Sequence, residues 1–248
     1  FLSTEHSRGD GTGSGSSILL CPSCNSLAPE PSIPSWPPHA QTLDPLSNAP
    51  EPSTLGIGTQ TGQERKASAF YLTDLMSFTR NPLFLIIDAE NASSFTPNSN
   101  PFGQPLVCLM SPQTSSPDFS DPARQGSVFT LFLTHPVVAF WFVMQKNQLS
   151  QATYKHAASR IQSCFAEDLL PMLVNATLDR SYEAFLTNDF TRIYILRFIF
   201  AKAVLKKNSS FTTPHMLPSC YPELPEHLFT SSAMGKLIED LVAMAEGD

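Results

Sequence analysis

Charge is scarce in this chain. Only 15% of its 248 residues are Asp, Glu, Lys or Arg, with fifteen basic residues against twenty-two acidic ones. A net charge of −7 and a pI near 5.3 argue against a direct grip on nucleic acid, since phosphate contacts need a dense Lys/Arg surface. The first residues lack a basic region followed by an apolar run and a small-residue cleavage site, so nothing there reads as a secretion signal. Cysteine is sparse too: five, an odd number at scattered spacing, favours reduced thiols in an intracellular protein, in the cytosol or nucleus. Three sequons begin at Asn91, Asn175 and Asn208 and carry little weight without a secretory signal. The chain begins at Phe1 with no initiator Met, as expected of a fragment or a processed form.

Residues 1–67 also lack the apolar material for a core. They are crowded with Pro, Ser, Gly and Thr, as in GDGTGSGSS and APEPSIPSWPPHAQ. Such a stretch cannot bury enough surface to offset about 1–2 kcal/mol of backbone entropy per residue, and it reads as a disordered tail or linker. Cys21-Pro-Ser-Cys24 is half a zinc site or a redox pair, but no second ligand pair and no strand–helix flanks complete it. The Gly/Ser run at 9–17 completes neither G-x-G-x-x-G nor a G-K-[ST] phosphate loop.

What is present begins near residue 68. Two short apolar runs, 83–87 (LFLII) and 106–110 (LVCLM), read as strands buried on both faces. The connection between them is long enough for a crossover. Residues 71–78 suggest a short helix capped by Thr73, ended by Asn81-Pro82. Asp88 closes the first strand and Glu90 follows it. A carboxylate at a strand end is a candidate metal ligand or nucleophile, so a metal-dependent phosphoryl-transfer or hydrolase site on Asp88 and Glu90 is the alternative functional reading. The bland reading is an Asx turn.

The most apolar stretch, GSVFTLFLTHPVVAFWFVM, holds seventeen residues at 128–144, with His135-Pro136 at the middle. A membrane span needs about twenty apolar residues and pays for a central His, so a soluble reading is preferred. The stretch is expected to be a strand or short helix up to Thr134, then a helix started by Pro136. Residues 128–133 are the candidate third strand, and His135 is a turn or cap residue.

From Ser150 the period is helical: Ala157, Ile161, Cys164, Phe165 and Leu169 share one face, and Pro171 kinks or ends that helix. Cys164 reads as a small core residue. A helix is expected over 181–186. Asp189 reads as N-cap of a central helix, FTRIYILRFIFAKAVLKK. Arg192, Arg197 and Lys202 form a solvated seam on it, while Lys206 and Lys207 complement the helix dipole. A Pro-rich connection with CYPELP precedes a last amphipathic helix, capped by Ser231 or Ser232, with a stripe of Met234, Leu237, Ile238, Leu241 and Ala245. That face docks onto the domain or serves a partner helix. The expected fold is α/β or α+β: a small, mostly buried sheet with several packed helices, preceded by a disordered Pro/Ser/Gly-rich segment.

FYLTDLMSFTRNPLFLIIDAENASSF, then FGQPLVCLMSP, then GSVFTLFL…P…AF, resemble in order the C-terminal part of the suppressor of cancer cell invasion (SCAI) family. Asp189-Phe190, Leu196-Arg197-Phe198-Ile199-Phe200 and Tyr221-Pro222-Glu223-Leu224-Pro225 extend the match. The resemblance covers residues 69–248, so 68–248 is the expected domain. The family's long helical N-terminal region is absent here, as expected of a fragment or a divergent gene product. The resemblance implies a regulator and not an enzyme: a nuclear transcriptional cofactor that binds myocardin-related transcription factors, represses serum response factor target genes downstream of Rho–actin signalling and restrains migration and invasion. It also implies a link to DNA double-strand break repair. It brings no catalytic residue, metal or cofactor site. Partners are expected to be proteins, with neither nucleic acid nor membrane contacted directly, in the nucleus and also the cytoplasm.

Overall fold

The computed structural model describes residues 75–89, 92–96, 100–119, 127–146 and 148–247. The 1–67 segment, Cys21, Cys24, Thr73 and Glu90 lie outside them.

Both apolar runs form strands with the expected bounds. β1 (Leu83–Ile87) lies parallel to β2 (Leu106–Met110), in register Leu83 to Leu106 through Ile87 to Met110. A 3-10 turn at Ala92–Phe95 lies within their connection. A short third strand, β3 (Ser219–Tyr221), pairs antiparallel with β2 on its other side, giving the order β1-β2-β3. β2 is therefore central, and all five of its residues are buried. β1 is an edge strand and only half-buried, which corrects the expectation of burial on both faces.

The candidate third strand at 128–133 is instead helical: α1 spans Val128–Thr134. The reason is local. The Ser127 side chain accepts a hydrogen bond from the Thr130 N–H, and the Leu131 N–H donates to the Ser127 carbonyl. This capped first turn settles a run that apolar content alone leaves ambiguous. His135 ends α1 and starts α2 (Pro136–Val143), where Pro136 suits the first helical turn.

α3 (Gln151–Ser163) starts at a Ser150 cap and passes through a π turn, Cys164–Leu169, into α4 (Leu170–Asn175). Pro171 neither ends nor breaks this run. The Leu170 N–H reaches back five residues to Phe165, and this wider turn accommodates a ring that brings no N–H. Ala157, Ile161, Cys164, Phe165 and Leu169 are all buried, as the periodicity predicts.

α5 (Arg180–Leu186) leads into α6 (Asp189–Lys207). The N-cap of α6 is Asn188 and not Asp189: its side-chain oxygen accepts from the Phe190 and Thr191 N–H groups. Asp189 takes the first-turn position, where its charge suits the positive helix end. α6 is the central post of the domain. Phe198 and Phe200 are fully buried, Phe198 meeting Phe129 and Phe229, and Phe200 meeting Phe132, Phe140 and Phe165. α7 (Ser232–Glu246), capped by Ser231, buries all five residues of its predicted stripe.

The architecture is α+β. One sheet face, carrying Val107, Leu109 and Phe84, joins the main helical core. The opposite face gathers Leu106, Cys108 and Met110 with Ala92 in a smaller cluster.

Candidate functional site

Asp88 does close β1, at an exposed position, and its carboxylate accepts the Thr130 hydroxyl from α1. It therefore pins the sheet to α1. Among the described residues no three His, Cys, Asp or Glu side chains converge in a way that holds a metal ion. Again among the described residues, no helix is long and apolar enough to cross a membrane.

The cations of α6 do not form a solvated seam; each has a specific partner. Arg192 meets Asp189 and the Leu186 carbonyl, and Arg197 Nη1 donates to the Leu133 carbonyl at 2.7 Å. Lys202 sits over the Phe229 ring, 4.6 Å from its centroid. Lys206 pairs with Glu226, and Lys207 approaches Glu239 at 3.8 Å. These charges hold neighbouring elements in place, and phosphate recognition gains no free basic face from them.

The described cysteines are free and buried. Burial pushes the Cys108 thiol up to about 12, helped by Cys220, and the Cys164 thiol up to about 11, helped by Asp168. A thiol so reluctant to ionise is a poor nucleophile. Tyr182, fully buried on α5, donates from its hydroxyl to the Pro222 carbonyl at 2.6 Å, and its own ionisation is suppressed by burial and by Cys220. This contact fastens the CYPELP segment, and with it β3, to the helices. His135 ionises less readily than a free histidine, first because of desolvation and then because Arg197 is close.

What the helices leave open is a groove of about 530 Å³ between the end of α2 and the C-terminal halves of α6 and α7. Its floor is apolar, from Phe140, Met144, Val204, Ile238 and Val242. Its rim carries Lys207, Glu239 and Glu246. No catalytic constellation lines it. An apolar trough between two helices, with charged sides, suits the apolar face of a third helix. The sequence reading missed this groove. It assigned the α7 stripe correctly, but Val242, beside Ile238 and Leu241 on the next flank of α7, is the residue that signals a second apolar face.

A family model described as Protein SCAI matches residues 39–211. Among curated proteins, Protein SCAI of Homo sapiens is 34% identical over 153 residues, 61% of this chain and 25% of that protein. Protein SCAI of Mus musculus is 33% identical over the same shares. The Protein SCAI homolog of Dictyostelium discoideum is 30% identical over 181 residues, 72% of this chain and 23% of its own. The chain thus spans about a quarter of the length of the curated relatives it matches. No solved structure gives a significant match. The family match, running through β1, β2 and α1 to α6, places this chain in the SCAI protein family.

Proposed function

We propose that the chain is a non-enzymatic nuclear transcriptional cofactor, also present in the cytoplasm. In this reading it binds myocardin-related transcription factors, represses serum response factor target genes and restrains cell migration. A contribution to DNA double-strand break repair belongs to the same reading. The observation that carries it is the family match over residues 39–211. Its acidic balance supports protein partners over nucleic acid. The contact surface is assigned to the α6–α7 groove, and its occupant is an amphipathic helix of the transcription factor with basic residues beside its apolar stripe. Glu246 on the rim favours that charge, Glu239 being turned to Lys207, and the apolar floor supplies the anchor pocket.

The test is a serum response factor reporter driven by a myocardin-related factor, in cells expressing the 248-residue chain. Repression by the wild-type chain, lost in Val242→Lys with nuclear level and fold intact, supports the reading. An unrepressed reporter, or equal repression by Val242→Lys, contradicts it.

A further inference from the structure

Lys206 and Lys207, in the last turn of α6, are the one adjacent pair of basic residues among the described residues. Ser209 follows after a single intervening residue, and all three are exposed. The turn beyond α6 holds Ser209 outward. Asn208 anchors one side, giving its side-chain N–H to the Val143 carbonyl at 3.2 Å and accepting the Ser210 N–H at 2.8 Å. On the other side the Ser210 hydroxyl donates to the Asp118 carboxylate, and Phe211 stacks on Phe119. Ser209 stands between these anchors and lines the α6–α7 groove.

We propose that Ser209 is a phosphorylation site for a basic-directed serine/threonine kinase, and that its phosphate tightens the groove's hold on a basic helix. The second half rests on the groove reading above. Cations three and two residues before a serine suit a kinase cleft lined by carboxylates, whereas Ser210 has its hydroxyl engaged by Asp118. The step moves the γ-phosphoryl group of ATP to Ser209 Oγ. The new O–P bond replaces the bond to the β-phosphate oxygen, ADP leaves, and the hydroxyl proton passes to the base of the kinase. The two lysines must leave the helix end to be read. Their pairs with Glu226 and Glu239 are exposed and hold that last turn only weakly.

The effect on the groove follows from charge. A phosphoserine carries close to two negative charges, here beside the negative end of the α6 dipole and a neighbour already bonded to Asp118. Lys207, two residues back and on the same rim, is the cation available to offset them. It meets Glu239 only at 3.8 Å, and a phosphate offers it a stronger partner. Lys207 turned to the phosphate releases Glu239, so Glu239 and Glu246 both face the groove as anions, with the phosphate beside them.

The same spacing recurs in Arg65-Lys66-Ala67-Ser68, outside the described residues, so the test uses the full 248-residue chain carrying Ser68→Ala. The chain is incubated with ATP and a purified kinase selective for those two basic positions, and mass spectrometry locates the phosphate. Phosphate on Ser209 is expected, and none there overturns the proposal. Both forms are then titrated with a synthetic amphipathic helix bearing lysines beside a leucine stripe. The phosphorylated chain should bind about fivefold to tenfold tighter at low salt, with the gain shrinking towards about 0.15 M salt. Val242→Lys should weaken binding by both forms. Equal or weaker binding after phosphorylation overturns the proposal and leaves the groove reading standing. Binding by neither form, or binding indifferent to Val242→Lys, refutes the groove reading and the regulation with it.

Discussion

Arg197, near the middle of α6, donates to the carbonyl of Leu133, 64 residues earlier at the end of α1, and reaches the Thr134 carbonyl at 3.3 Å. The last carbonyls of a helix have no partner within it, and a guanidinium is well shaped to take two. The basic residue that the sequence suggested was solvated is therefore a cap delivered by tertiary structure. Replacing it with Met should cost about 1.5–3 kcal/mol, the worth of charge-assisted hydrogen bonds. Urea unfolding should show a lower midpoint at unchanged slope. An unmoved midpoint would deny Arg197 this role.

Tyr182 offers a second, smaller test. Tyr182→Phe keeps the ring in its buried site and removes only the hydroxyl that meets Pro222. A loss of about 1 kcal/mol is expected, with protection of the β3 amides reduced before that of β2 in hydrogen exchange. Uniform protection across both strands would mean that the contact does not hold β3.

The buried thiols should be silent in the native state. Raising Cys108 from 9.0 to about 12 cuts its thiolate fraction about a thousandfold at neutral pH, before any loss of access. Alkylation at pH 8 followed by peptide mapping should leave Cys108 and Cys164 unmodified until the chain is unfolded. Prompt labelling of either would contradict their placement.

His135 makes stability depend on pH. Its native pKa lies below that of the free side chain, so at pH values under about 6.5 the unfolded chain takes up a proton that the native chain declines. More protons on the unfolded state mean that stability rises with pH. The His135 contribution should therefore be intact at pH 7 and decline as pH falls through that window. His135→Asn should flatten the melting temperature between pH 7 and 5.5; an unchanged slope would remove His135 as its source.

The Asp88 reading as a metal ligand has its own measurement. A bound ion at 100 times its dissociation constant would add about 2.7 kcal/mol. With Asp88 engaged by Thr130, millimolar Mg²⁺ is expected to leave the melting temperature unchanged. A clear rise would reopen the enzymatic reading.

Much of the fold was legible because its signals are local. The strands at 83–87 and 106–110 sit in short apolar runs set off by proline, and the α3 and α7 stripes follow helical periodicity that the structure buries residue by residue. The failures have separate physical causes. β3 is three residues inside a proline-rich segment, and only pairing with β2 makes it a strand. Residues 128–133 are apolar enough for either state, and one serine cap decided it. Pro171 looked like a terminus because tolerance of it depends on the preceding π turn. The groove was invisible because its walls come from three helices separated by about a hundred residues.

The proposed partner of this SCAI-family chain is a transcription-factor helix held in the α6–α7 groove. Its most direct test is calorimetric titration of the 248-residue chain with a purified myocardin-related transcription factor, beside the Val242→Lys variant. The account predicts saturable binding with a negative heat-capacity change, weakened at least tenfold by Val242→Lys. No binding, or equal affinity in the two chains, would contradict it.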